Sequence, residues 1–204
     1  DGTILFGEKT IDLPRKNGHV KIKRVWLQPV AHANPDAVTA LSNADVIMFG
    51  PGDLYTSILP NLYVEGILEA IAVSKAKLVY ISNIMTKHGE TDGFTVEDFV
   101  TAIEAHLPRS IDTVVYNTAP VPQRIIDRYV EEKAEPVALI GTHSGWVGAD
   151  VLSTATDLAR HDSEKLAAAR GQAPQLHSWG SCKAKNRRKL QRKVGKPVFY
   201  TERT

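Results

Sequence analysis

Two polar loops, each following a short apolar run, hold most of the residues in this chain whose types and spacing could do chemistry. The first, 50–61, reads Gly50-Pro51-Gly52-Asp53-Leu54-Tyr55-Thr56-Ser57-Ile58-Leu59-Pro60-Asn61. The second, 83–91, reads Asn83-Ile84-Met85-Thr86-Lys87-His88-Gly89-Glu90-Thr91. Gly50, Pro51 and Gly52 let the backbone approach a bound group and leave amide N–H groups facing it. A helix beginning just after would add its positive end, and the hydroxyls of Tyr55, Thr56 and Ser57 would add donors. Together these suit an anion such as a phosphate or diphosphate. The plainer reading is a sharp strand-to-helix turn, but a turn does not require Asp-Leu-Tyr-Thr-Ser.

In the second loop Asn83 follows the apolar run directly, where an amide both donates to and accepts from a sugar or base edge. Thr86 and the Gly89-Glu90-Thr91 corner bring a hydroxyl and a carboxylate to the same rim. Glu90 and Asp92 suit three roles: binding sugar hydroxyls, holding a cation through oxygen, or facing water. No third metal ligand follows by spacing, so no metal site is expected. The seven histidines are scattered, without His-x-x-x-His spacing. His88 lies in the rich loop, whereas His106 and His161 read as helix-end or surface residues. Ser144, in Thr142-His143-Ser144-Gly145-Trp146, matches a nucleophile elbow poorly because Gly141 is displaced by one position. No catalytic residue is identified. Glu90, Asp53 and His88 are the only candidates for a general base.

The elements that must position these loops follow from periodicity. Apolar runs at 46–49, 78–81, 113–116 and 137–140 alternate with helical patterns, which predicts a mostly parallel sheet covered on both faces. Helices are expected over 62–73, from Thr95 as a cap with Val96, Phe99, Val100 and Ile103 on one face, and through Ile125, Ile126, Tyr129 and Val130. Asn34-Pro35 should cap and open a short helix through Leu41. Residues 1–27 read as an antiparallel excursion with Val20, Ile22 and Arg24 on one face. A last helix is expected after His161, with Asp162 or Ser163 as its cap.

At 204 residues the chain fits one domain, and 43% hydrophobic with 24% charged residues is ordinary for a soluble protein. The single cysteine, Cys182, excludes an internal disulfide framework and a multi-cysteine metal site. No apolar stretch reaches the roughly 20 residues a membrane span needs, and no signal peptide opens the chain, so a cytoplasmic protein is expected. The net charge of +2 conceals a division: from Gly171 onward nine basic residues face one acid, against 16 and 22 before it. Residues 171–204 therefore read as a basic, flexible tail. Its densest part, 183–196, suits either nucleic acid or an anionic surface through salt-sensitive phosphate contacts, or simply solvation.

The first loop resembles the Gly-Pro-Gly-Ser-Leu-Tyr-Thr-Ser stretch of the bacterial gluconeogenesis factor family, within the 2-phospho-L-lactate transferase (CofD-like) superfamily, with Asp53 in place of serine. Asn83-Ile84-Met85-Thr86 and Gly89-Glu90-Thr91 are similar to its second motif, and Arg160-His161-Asp162 to its ending. The resemblance covers roughly residues 1–170. It implies a Rossmann-like three-layer α/β domain that binds a nucleotide-sugar such as UDP-N-acetylglucosamine and regulates carbon metabolism, cell envelope and cell shape. A phospholactyl-type transferase acting on a nucleotide diphosphate ester, with Mg²⁺, is the alternative, and a homo-oligomer is compatible with either. By this likeness the ligand is held by Gly50, Pro51, Gly52, Asp53, Tyr55, Thr56, Ser57 and Asn61 from one loop. Asn83, Met85, Thr86, Gly89, Glu90 and Thr91 would hold it from the other. The family's glycine-rich phosphate loop and Asp-Asp-Gly-Gly-Ser segment have no counterpart, so the chain reads as the carboxyl-terminal portion of such a domain, lacking its first strands.

Overall fold

Short strands, the central ones buried along continuous runs, set the architecture. In the computed structural model, which describes residues 4–7, 22–169 and 198–203, the chain runs through β1 (Ile4–Phe6), β2 (Ile22–Gln28), α1 (Pro35–Ser42) and β3 (Val46–Phe49). A π-helical turn (Leu54–Ile58), α2 (Leu59–Leu62), α3 (Ile67–Val73) and β4 (Lys77–Ile81) follow. Next come α4 (Val96–Glu104), β5 (Thr113–Asn117), α5 (Gln123–Glu131), β6 (Val147–Ala149), α6 (Ser163–Ala169) and β7 (Val198–Arg203).

Strands β3, β4, β5 and β6 pair in that order, all parallel. Helices α2, α3 and α4 pack on one face of this sheet. That face carries Ile47, Phe49, Leu78, Tyr80 and Val114 against Leu54, Leu59, Ile71, Phe99 and Ile103. The alternate residues Val79, Ile81, Val115, Val147 and Ala149 point the other way and meet Leu166 and Ala169 of α6. The expected α/β fold with a mostly parallel sheet is the one found. A separate antiparallel sheet, β1-β7-β2, makes the amino-terminal excursion.

Local chemistry explains the helix starts. Asn34 accepts from the Asp36 amide with Pro35 in the first turn, and Thr95 and Asp98 form a reciprocal capping box. Asp162 receives the amides of Glu164 and Lys165 at the start of α6.

Three expectations require correction. The helix expected over 62–73 starts earlier, with the π turn burying Leu54 and Ile58, and it breaks at Gly66, where φ is +95°. In β2 the buried residues are Val25 and Leu27, because the pairing with β7 shifts register between Ile22 and Arg24; Val20 lies outside the described residues. The run 137–140 is no strand. Its backbone is spent elsewhere: the Val137 amide donates to Ile84 O and the Val96 amide to Ala138 O. The fourth strand is Val147-Gly148-Ala149, whose glycine and alanine are weak strand formers. Gly148 is needed there because a Cβ would sit 2.7 Å from Tyr116 Oη and from Thr118 Cγ2.

The stretch expected as a basic tail ends in β7, the central strand of the antiparallel sheet, while its basic run 183–196 lies outside the described residues. Among the described residues, no helix is long and apolar enough to cross a membrane.

Phe99, fully buried, makes an edge contact with Phe94 and a tilted one with Tyr80 at 6.5 Å. Phe99→Ala is expected to cost about 3–5 kcal/mol, read as a lower urea midpoint at unchanged m-value.

Candidate functional site

Because Phe49 lies opposite Tyr80 in the parallel β3–β4 pair, the chain leaves both strands at the same level and the two polar loops emerge side by side. Gly50 turns the first with φ +85°, and a Cβ there would come 2.9 Å from Ile81 O. The loops are joined directly: Asn83 Nδ2 donates to Gly52 O at 3.1 Å. Below them the Tyr80 hydroxyl donates to Asn83 Oδ1 at 2.8 Å and accepts from the Asn83 amide at 3.4 Å. At the rim, Lys87 Nζ donates to Asp53 Oδ2 at 2.6 Å and lies 3.5 Å from Glu90 Oε1.

Between the loops opens a cavity of about 970 Å³. Of the residues expected to bind a ligand, Pro51, Gly52, Asp53, Ser57, Asn83, Met85 and Thr86 line it. Gly50 and Asn61 line instead a smaller hollow of about 340 Å³ along β3, where Asn61 Nδ2 donates to Ser57 O. Tyr55, Thr56, Gly89, Glu90 and Thr91 line neither and serve to build the loops. Thr56 is buried, and the Tyr55 hydroxyl pKa is raised by burial and by the nearby Glu90 charge. Thr91 Oγ1 receives the Lys87 amide, and the Gly89 amide donates to Asp92 Oδ2. Glu90 does not face water: its side chain is 1% exposed, beneath Lys87.

The cavity also gathers residues outside the expected binding set, among them His88, a candidate general base by sequence. Lys87 and His88 come from the second loop, Tyr129 and Glu132 from the end of α5, and Arg160 and His161 from the segment before α6. His88 Nδ1 lies 2.6 Å from Asp92 Oδ1. His161, expected at the surface, is half-buried with Nε2 donating to Ser82 O at 3.1 Å. Burial lowers its pKa, partly opposed by that carbonyl, so the ring is neutral near pH 7. Arg160 is exposed and has no carboxylate partner among the described residues. The one local signal for the last pair was the Arg-His-Asp triplet itself.

Ser144 is exposed and lines none of these hollows, and His143 pairs with Glu97 at 2.8 Å, not with a serine. No group of three or more His, Cys, Asp or Glu among the described residues could hold a metal. A Mg²⁺ ion would have to be carried largely by a ligand's phosphates, because Lys87 already engages both Asp53 and Glu90.

A strap supports the second loop from outside. The Thr86 amide donates to Glu135 O, the Glu135 amide to Thr86 Oγ1, and Glu97 Oε1 receives the amides of Ile140 and Gly141. Burial would raise the Glu97 pKa, but the Gly141 amide, His143 and the Ile140 amide outweigh it and bring it from 4.5 to about 2.

A parallel sheet whose strand ends share a polar cavity defines an α/β domain with a candidate ligand site outside the carboxyl ends of the strands. The chain belongs to the CofD family: the family model for 2-phospho-L-lactate transferase CofD matches residues 1–156. It is 41% identical to a gluconeogenesis factor of Halalkalibacterium halodurans over 178 residues, which are 83% of this chain and 53% of that protein. Gluconeogenesis factors of Listeria innocua and Bacillus subtilis are 42% and 38% identical, over 82% of this chain in each case and 52% and 54% of theirs. A crystal structure of a UPF0052 family member from Bacillus halodurans superposes with a TM-score of 0.72 at 37% identity, covering 81% of this chain and 58% of that one. The chain thus spans about half the length of the curated relatives it matches.

Two outcomes follow from this geometry. Gly50→Ala meets both a positive φ and the Ile81 carbonyl and should lose about 1–3 kcal/mol in chemical denaturation, whereas Gly93→Ala, with φ +69° and open space, should lose less. The folded-state pKa of Glu97 lies below its ordinary value, so its stabilisation is complete above pH 4.5 and lost as pH falls toward 2. The stability difference between wild type and Glu97→Gln should be about 1–2 kcal/mol at pH 7, after solvent screening, and shrink across that window.

Proposed function

We propose that the cavity between the two loops binds a nucleotide-sugar of the UDP-N-acetylglucosamine type, and that the chain acts through this binding as a regulator of carbon metabolism and of cell envelope and shape. The observation that carries the reading is the convergence of Gly52, Asn83, Thr86 and Arg160 on one cavity of about 970 Å³, at the upper end of the 300–1,000 Å³ usual for small-molecule sites. The relatives' name, gluconeogenesis factor, supports a regulatory role. Arg160, without a carboxylate partner among the described residues, is the cation best placed to meet a diphosphate.

A second reading is favoured by the family model's description: a transferase acting on a nucleotide diphosphate ester, in a small-molecule site worked by orientation and by stabilisation of developing charge. Of the candidate general bases, His88, set by Asp92, and Asp53, paired with Lys87, line the cavity, whereas Glu90 lies buried beneath Lys87. Neither reading needs a partner macromolecule, and an association of the basic run 183–196 with nucleic acid would be independent of both.

Titration calorimetry of the full chain with UDP-N-acetylglucosamine should give saturable heat, and Arg160→Ala should weaken binding about tenfold or more. Absence of heat at millimolar ligand overturns the first reading. Under the second, incubation with a phospholactyl nucleoside diphosphate, an acceptor and Mg²⁺ must release nucleotide product.

A further inference from the structure

Asn83 lies where both loops and the cavity meet, and its amide has four hydrogen-bonding positions to fill: two acceptor lone pairs and two N–H donors. The Gly52 carbonyl can only accept, so the atom facing it at 3.1 Å is Nδ2 and the amide has one permitted orientation. The opposite end is fixed by Tyr80, whose hydroxyl donates to Oδ1 at 2.8 Å while its oxygen receives the Asn83 backbone N–H at 3.4 Å. The Tyr80 ring is fully buried between strand and helix, so the hydroxyl cannot swing away. Burial also raises its pKa far above neutrality, which keeps the proton in place. Among the described residues, Nδ2 makes no second hydrogen bond, and Asn83 lines the cavity.

We infer that Asn83 is a one-way reader, presenting an N–H and not a carbonyl to the cavity, and that Tyr80 is the positioning residue that locks it so. The group it selects is an acceptor: a phosphoryl oxygen or a ring carbonyl. An amino group at the same place would meet another donor and leave a buried pair unmatched, which is the arrangement that discriminates most strongly. The selectivity rests on the ligand occupying the cavity as proposed above; the lock is a property of the free protein. Without the Tyr80 hydroxyl, Oδ1 loses its donor, and only the Gly52 carbonyl resists an amide flip.

The test uses ¹⁵N-labelled full chain, with the Asn83 side-chain NH₂ pair assigned by its disappearance in Asn83→Ala. In the free wild type the two protons should be well separated, one shifted downfield by the Gly52 carbonyl; in Tyr80→Phe the separation should shrink and the pair broaden. This arm needs no ligand. With UDP-N-acetylglucosamine as probe, the upfield proton should shift in wild type, and Tyr80→Phe should weaken binding about three- to tenfold. In an Asn83→Ala background Tyr80→Phe should weaken it no further, because the effect passes through the amide. An unchanged NH₂ pair in Tyr80→Phe, or an equal loss of affinity in both backgrounds, overturns the inference. If the probe does not bind at all while the NH₂ pair responds to Tyr80→Phe, the nucleotide-sugar reading fails and the lock stands.

Discussion

The site depends on the hydrogen bond between Asn83 and Gly52, which ties the end of β4 to the end of β3. Parallel neighbours run about 4.8 Å apart, so two strands in register deliver their following loops to the same spot, and any ligand there must share space with both backbones. Glycine at 50 and 52 makes that proximity tolerable: the first adopts a positive φ beneath the Ile81 carbonyl, and a Cβ at the second would sit 3.1 Å from Ser57 Cβ. The amide of Asn83 then turns crowding into connection. It donates to the Gly52 carbonyl in the neighbouring loop, and it hangs on a tyrosine rooted in the core. Packing on the helix-bearing face of the sheet is thereby transmitted to the geometry of the cavity.

Charge in the cavity is distributed less simply than a count of lysines and arginines suggests. Lys87 spends its charge on Asp53 and shares the remainder with buried Glu90, so it works chiefly as a clasp between the loops. An anion arriving there would compete with two carboxylates already in place. Arg160 has no such competitor among the described residues, and a guanidinium on an exposed rim keeps its fork of donors available. The neutral His161 beside it adds no repulsion toward a metal-bound or protonated ligand, and its proton is committed to the Ser82 carbonyl. Under the proposed reading, attraction for a diphosphate would rest chiefly on this rim cation, with the Lys87 clasp joining the two loops beside it.

How far the sequence revealed this varied by element for identifiable reasons. The strands at 46–49, 78–81 and 113–116 were legible because they are continuous apolar runs bounded by polar loops, and Thr95 with Asp98 advertised a helix start. The run 137–140 misled because an apolar, β-branched segment looks the same whether its backbone pairs with a strand or with a loop, and here it pairs with Ile84 and Val96. The true fourth strand was hidden by Gly148, a residue chosen for the crowding of Tyr116 and Thr118 and not for strand propensity. Around the cavity, local composition pointed to Gly52, Asn83 and Thr86, which line it. It did not expose Arg160 and His161, which reach the cavity through an antiparallel bridge between Leu152 and His161 that no short-range pattern encodes. Glu90 and Thr91 were read as ligand groups because a loop's polar residues look alike whether they face a cavity or hold the loop from within.

The same distinction bears on how the site is kept in shape. The second loop is held from three sides: by Tyr80 and Gly52 at its start, by Thr91 Oγ1 on the Lys87 amide within it, and by the strap at Thr86. The first loop depends on its own π turn, in which the Ser57 and Ile58 amides both return to Asp53 O, and on its two links to the second, at Gly52 and Asp53. A π turn is rare and is found mostly at functional sites, since the extra residue widens the helix where a ligand or a neighbouring chain segment must approach. Here it carries Ser57 to the cavity while Leu54 and Ile58 remain in the core. The braced loop supplies the reference frame, and the first loop is positioned against it by one amide and one ion pair, so the spacing of the two walls rests on those contacts more than on the sheet.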